Sequence, residues 1–120
     1  MELDLTHEVV GRYDVLIPRG DLDIATHSVL HFRIVELLGA GRHHLVVDLG
    51  ETTFIDSMAL GTLIKATKSA TVVGGTFAII CDDPRIVRMF TVTRLADFLT
   101  RFDTREMWAA ATGPHDADAD

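Results

Sequence analysis

Leu45-Val46-Val47-Asp48-Leu49 is a run of five residues, nearly all apolar and rich in β-branched side chains. A strand with one face in water alternates apolar and polar positions, whereas a strand covered on both faces reads as a continuous apolar run. The segment therefore predicts a central strand in a sheet with helices covering it. Working upstream, Leu30, Ile34, Leu37 and Leu38 fall at i, i+4, i+7 and i+8, one face of a helix over residues 24–38. Asp23 is its expected N-cap and Gly39 its expected stop. Earlier still, residues 7–10 and 13–19 read as strands joined by Gly11-Arg12, a hairpin. Pro18 places the end of the second strand, or a sheet edge, near itself. Gly20-Asp21-Leu22-Asp23 breaks the extended pattern.

Downstream, residues 50–56 read as a connection carrying two apolar anchors, Phe54 and Ile55. Ser57 opens a helix over residues 58–70, with Leu60, Leu63, Ile64, Ala66 and Ala70 facing inward and Lys65 facing away. Gly74-Gly75 turns the chain into a strand at residues 76–81. Asp82-Asp83-Pro84 is a helix start, with Asp as cap and Pro first in the helix. Ile86, Val87 and Phe90 form that helix's inner stripe. A short strand at residues 98–102 precedes a last helix containing Met107, Trp108, Ala110 and Ala111. Asp103 with Glu106 has capping-box spacing, and Thr104 competes as the cap. The order predicts an α/β fold: a mixed, mostly parallel sheet of four to five strands, an opening β-hairpin, and helices packed against the sheet. Residues 1–112 are expected to form a single domain and residues 113–120 a solvated acidic tail.

Charged residues are 24 % of the chain, an ordinary globular share that argues against wholesale disorder. Eleven basic residues stand against 18 acidic, a net charge of −7. Phosphate backbones and anionic bilayers are met by surplus Lys and Arg, so neither nucleic acid nor a membrane surface is an expected partner. One cysteine, Cys81, offers no internal disulfide and no zinc cluster, which fits a reducing cytoplasm. No run approaches the ~20 apolar residues of a membrane span. Met1-Glu2-Leu3-Asp4 does not open a signal peptide.

Candidate chemistry is sparse. His27 and His31 have the i, i+4 spacing of metal ligands, but Ser28 stands where a zincin carries glutamate, and no third ligand is evident. They read as solvated histidines, with no metal site, and His43-His44 as surface loop. Cys81 has no histidine nearby in sequence to activate it. Gly39-Ala40-Gly41 and Gly74-Gly75 follow helices, whereas a phosphate-cradling loop must follow a strand and open a helix. With no Walker lysine, nucleophile elbow or dinucleotide fingerprint, no enzyme and no cofactor are expected. Phe54-Ile55-Asp56-Ser57-Met58-Ala59-Leu60-Gly61 is the segment that stands out. A serine at a strand-to-helix junction is either an N-cap or a phosphoryl acceptor whose phosphate would meet the positive end of the helix.

The chain resembles the STAS domain family, which includes sulfate-transporter domains and anti-sigma-factor antagonists. The resemblance runs to about Ala111. Gly20-Asp21-Leu22-Asp23 is similar to the family's G-x-L-D, and residues 45–49 to its central strand. Phe54-Ile55-Asp56-Ser57 with Leu60-Gly61 is similar to its D-S-x-G-L-G stretch. Pro84 with Val87, then Leu95 and Phe98-Leu99, match a weaker C-terminal pattern. In the antagonist branch, the serine after this aspartate is phosphorylated by an anti-sigma-factor kinase, and Ser57 holds that position. The resemblance implies a module that binds the anti-sigma-factor kinase when unphosphorylated, so releasing a sigma factor, and lets go once Ser57 is phosphorylated. Asp21, Asp23, Asp56, Met58, Ala59, Leu60 and Gly61 are the partner contacts it implies, with a place in transcription regulation and stress response. Ala59 departs from the family's glycine, and its added methyl is expected to alter docking. The family also implies an alternative: a scaffold in a stress-signalling assembly, or a subunit on a transporter ATPase, without a phospho-switch. Either is compatible with a homodimer. A two-component receiver is a further reading, with Asp48 as acceptor. It wants an acidic pair after the first strand and a late lysine, where this chain has a lone Asp14 and no lysine in its last third.

Overall fold

The structure is a computed structural model that describes residues 3–94 and 96–113. Leu95 and residues 114–120, including nearly all of the expected tail, lie outside the described residues. The chain runs β1 (Asp4–Val10), β2 (Tyr13–Leu22), α1 (His27–Gly39), β3 (His44–Asp48), β4 (Thr52–Ile55), α2 (Ser57–Val72), β5 (Thr76–Ile80) and α3 (Pro84–Val92). A 3-10 turn at Ala96–Phe98 then leads to β6 (Thr100–Phe102) and α4 (Arg105–Thr112). The strands form one sheet in the order β1-β2-β3-β5-β6, with β4 also on β2. Among the described residues only the β1–β2 hairpin is antiparallel; the other four pairings are parallel. The α/β architecture with its opening hairpin is as the sequence predicts, with six strands in place of four to five.

The extra strand is β4, inside the segment read as a connection. Gly20-Asp21-Leu22 does not break β2, because β4 pairs there, Asp21 against Phe54 and Leu22 against Ile55. One long strand thus carries β3 along Asp14–Leu16 and β4 along Gly20–Leu22. Pro18 is interior to β2 and falls in the gap between the two, where no strand on that side needs its missing N–H. Its carbonyl accepts from the Thr52 hydroxyl at 2.9 Å.

Leu45–Leu49 behaves as its composition predicts. Leu45, Val47 and Leu49 enter one core with Leu30, Ile34, Leu60, Leu63, Ile79 and Phe90, beneath α1, α2 and α3. Val46 points to the other face, where Tyr13, Val15, Ile17, Ile80 and Trp108 of α4 form a second core. Period-2 alternation in a strand buried on both sides feeds two separate clusters.

Several helix ends differ from the sequence reading. Asp23 does not cap α1, which starts four residues later, at His27. Its carboxylate instead accepts from the Ala25 N–H at 2.9 Å, and its own N–H donates to the Thr26 hydroxyl at 3.0 Å, building a tight turn ahead of the helix. Gly39 is still helical. The chain leaves α1 at Gly41 (φ +83°), with Gly41 N–H donating to the Leu38 carbonyl and Arg42 N–H to the Leu37 carbonyl. That paired closure needs a left-handed residue, which glycine adopts without strain. Asp83 caps α3 as expected, accepting from the Arg85 N–H, and Pro84 is the first helical residue. Thr104, and not Asp103, caps α4 by accepting from the Met107 N–H; Asp103 pairs with Arg101. His44 lies in β3, edge-on to Tyr13, and not in a surface loop.

The two aspartates of the receiver reading are both held by arginines. Asp14 is 1 % exposed and bonds Arg42 Nε and His7 Nε2, each at 2.7 Å. Asp48 accepts from Arg105 Nε at 2.8 Å, tying α4 to the sheet. Asp14 is buried and Asp48 half-buried, and carboxylates engaged by arginines in this way are structural pairs.

Candidate functional site

The site forms where β4 hands over to α2. Ile55 is 3 % exposed and anchors the strand end in the core. The next residue, Asp56, has extended backbone geometry and is the N-cap of α2. One carboxylate oxygen, Oδ1, accepts from the Ala59 N–H at 3.0 Å, and Oδ2 accepts from the Ile24 N–H at 2.9 Å. A single side chain thereby satisfies an orphan donor of α2 and fastens the β2–α1 loop beside it. Asp56 N–H adds a backbone bond to the Leu22 carbonyl.

This arrangement removes the capping reading of Ser57. Asp56 caps the helix, so Ser57 is the first helical residue, not the cap. Its side chain is exposed, and its hydroxyl enters none of the side-chain hydrogen bonds among the described residues. Ser57 and Met58 border a shallow hollow of about 190 Å³, shared with His27, Gly61, Thr62 and Lys65. His27 is therefore not a solvated histidine: it is half-buried against α2, with Nδ1 3.0 Å from the Thr62 hydroxyl. Lys65 lies on the rim of this hollow. Among the described residues, no group of three or more His, Cys, Asp or Glu is placed to hold a metal ion.

The expected contact residues divide. Met58 and Gly61 are exposed. Ala59 and Leu60 are not available as surface, at 0 % and 1 % exposed, because they face the core beneath α2. The methyl that distinguishes Ala59 from the family's glycine therefore points inward and adds nothing to the outer surface. The three aspartates are half-buried and engaged internally. Asp21 accepts from the Thr53 hydroxyl at 2.7 Å, Asp23 holds its turn, and Asp56 clamps two elements.

Sequence reasoning missed the apolar rim. Phe54, read as an anchor, is 51 % exposed, and Ile24 is 71 % exposed. With Met58, they leave large apolar side chains in water near Ser57. No local signal marked it: the exposure of Phe54 follows from its pairing opposite Asp21 in the missed strand. Cys81 is buried, and that burial pushes its thiol above the usual cysteine range, the opposite of an activated nucleophile. No helix is long and apolar enough to cross a membrane, among the described residues.

Known proteins share this fold. A candidate anti-sigma factor antagonist of Thermotoga neapolitana is 28 % identical over 99 residues, spanning 82 % of this chain and 88 % of that protein. The crystal structure of a candidate anti-sigma factor antagonist from Thermotoga maritima superposes with a TM-score of 0.85 at 22 % identity, covering 91 % of this chain and 94 % of the other. The anti-sigma factor antagonist SpoIIAA in its unphosphorylated form superposes with a TM-score of 0.70 at 18 % identity, covering 90 % of this chain and 96 % of that one. The description "STAS domain" matches residues 6–107, which take in every strand from mid-β1 to β6 and the Asp56–Ser57 junction. The chain belongs to the STAS domain family.

Proposed function

We propose that this protein is an anti-sigma-factor antagonist that binds an anti-sigma-factor serine kinase through the surface around Ser57, and that phosphorylation of Ser57 ends the binding. The observation that carries the reading is the exposed, unengaged Ser57 hydroxyl at the start of α2, relieved of capping by Asp56. The exposed apolar side chains of Ile24, Phe54 and Met58 supply contact area around it, and Gly61 allows close approach along α2. Ala59 and Leu60 contribute by holding the helix in place, not by touching the partner. The anti-sigma factor antagonists that this chain resembles support the class of partner.

The switch follows from electrostatics. A phosphate adds about −1.5 to −2 charge, taking the chain from −7 to roughly −9. It arrives one residue from Asp56, in a neighbourhood that also holds Asp21 and Asp23. A surface fitted to a neutral hydroxyl and apolar neighbours then presents a solvated dianion. Burying it against a partner costs desolvation and like-charge repulsion of several kcal/mol. The module acts by binding, and its kinase is a separate protein. Released from the kinase, the sigma factor would be free to act, in the cytoplasm where transcription occurs.

Incubation with the cognate anti-sigma-factor kinase and ATP, followed by mass spectrometry, is expected to place phosphate on Ser57. In pull-downs, Ser57→Ala should retain the kinase and Ser57→Asp should lose it. Phosphate on Thr52, Thr53 or Thr62 instead, or equal capture by the two variants, would overturn the switch.

A further inference from the structure

The sheet has an open side that takes no part in the hollow at Ser57. Among the described residues β1 pairs only with β2 and ends the strand order, and none of its residues lines that hollow. Edge strands are ordinarily guarded by lysine, proline, a bulge or extreme shortness. β1 carries none of these devices: it runs seven residues without Lys or Pro, in unbroken register with β2. The opposite edge, β6, is only three residues long. Val9 stands on β1 with 64 % of its surface in water.

The register identifies the free backbone groups. Gly11 (φ +60°) opens a two-residue turn between Val10 and Tyr13. In such a hairpin the flanking pair exchanges both backbone bonds, and bonded pairs alternate from there. Asp4, Thr6, Glu8 and Val10 thus direct their N–H and C=O groups to β2. The other strand agrees: the Pro18 carbonyl and the Gly20 N–H, at the alternate positions of β2, bond toward Thr52 and Glu51 on its far side. Leu5, His7 and Val9 therefore turn their backbone groups outward, to the open edge.

We infer that this edge is an interface with a second copy of the chain, the two β1 strands pairing antiparallel about a two-fold axis at His7. Pairing around such an axis sets residues of the same sheet face opposite each other, so the axis passes through a residue and not between two. Centring on Thr6 would set Glu8 against Asp4 of the second copy. Centring on Glu8 would set the two Glu8 carboxylates against each other. Like charges directly opposite destabilise a strand pair, and centres nearer the ends pair fewer residues. Centring on His7 avoids both faults. Glu8 then falls opposite Thr6, whose hydroxyl accepts from the Arg19 guanidinium at 2.6 Å, so the incoming carboxylate meets a cation. The exposed Val9 falls opposite Leu5. Leu5, His7 and Val9 meet Val9, His7 and Leu5, so every outward backbone group gains a partner. The two His7 side chains, opposite each other, are each turned onto Asp14 of their own chain at 2.7 Å. This self-complementarity of charge and register selects a second copy over a strand of another protein. The inference is independent of the switch at Ser57.

Sedimentation velocity from micromolar to millimolar concentration should show a monomer–dimer equilibrium. Amide hydrogen exchange above and below its midpoint reads the geometry. In the dimer the amides of Leu5, His7 and Val9 should be protected together with those of Thr6, Glu8 and Val10. On dilution the first three alone should lose protection, by about tenfold or more. Thr6→Glu sets a carboxylate opposite Glu8 of the second copy and should raise the dissociation constant about tenfold, with an unchanged circular dichroism spectrum. The wild-type exchange pattern stands alone if that variant does not fold. A chain still monomeric at millimolar concentration, a dimer whose Leu5, His7 and Val9 amides exchange as fast as in the monomer, or a folded Thr6→Glu variant that dimerises as tightly as wild type would overturn the inference.

Discussion

Replacing Asp56 by alanine should destabilise the protein far more than replacing its neighbour Ser57, although the sequence makes serine the obvious cap. The carboxylate of Asp56 makes two hydrogen bonds, to the Ala59 N–H at 3.0 Å and the Ile24 N–H at 2.9 Å. Loss of the cap costs about 1 kcal/mol. Loss of the second, charge-assisted bond costs about 1.5 kcal/mol and frees the β2–α1 loop. The sum for Asp56→Ala is about 2.5 kcal/mol, a fall in melting temperature of roughly 10 °C in a domain near this size. Ser57→Ala removes an exposed hydroxyl that bonds nothing and should stay within about 0.5 kcal/mol of wild type. Asp56→Asn keeps one acceptor oxygen for the Ala59 N–H but turns an amide donor toward the Ile24 N–H, and should fall between the two. Urea unfolding followed by circular dichroism, with unchanged slopes, reads all three. If Ser57→Ala lost 1 kcal/mol or more, or Asp56→Ala lost less than 0.5, the assignment of Asp56 as the clamp would be refuted.

Three further outcomes are expected. A Cβ on Gly75 would stand 2.0 Å from the His43 carbonyl oxygen, so Gly75→Ala should cost about 1–3 kcal/mol, read as a lowered melting temperature. Gly39→Ala, at a helical site with open space, should instead raise it slightly. Burial lowers the His44 pKa below the usual histidine value, first by desolvation and then by Arg12. The unfolded chain therefore takes up the proton first as pH falls, so His44's contribution to stability is whole above about pH 6.5 and declines below it. Unfolding midpoints at pH 7.5 and 5.5 should differ less in His44→Asn than in wild type; an equal difference would remove His44 from the account.

Much of this fold is written in local patterns. Leu45–Leu49 declares a strand covered on both faces because a short, β-branched, nearly continuous apolar run suits a strand buried on both sides, and the structure sends its side chains into two cores. Asp83-Pro84 starts α3 by chemistry that two adjacent residues carry alone. The Phe54–Gly61 segment marked the junction that the family resemblance made the candidate site. Other features required partners distant in sequence. Thr52–Ile55 has no strand pattern of its own and becomes β4 only because β2, some 32 residues earlier, leaves an edge open beyond Pro18. Asp56 takes the cap from Ser57 because Ile24, brought back by the β2–α1 loop, offers its second oxygen a donor. The methyl of Ala59 lies in the core and not on the surface because helix packing turned it there. Periodicity and caps are properties of neighbouring residues and can be read along the chain; which strand fills an edge and which donor meets an acceptor depend on contacts that exist only once the chain has closed on itself.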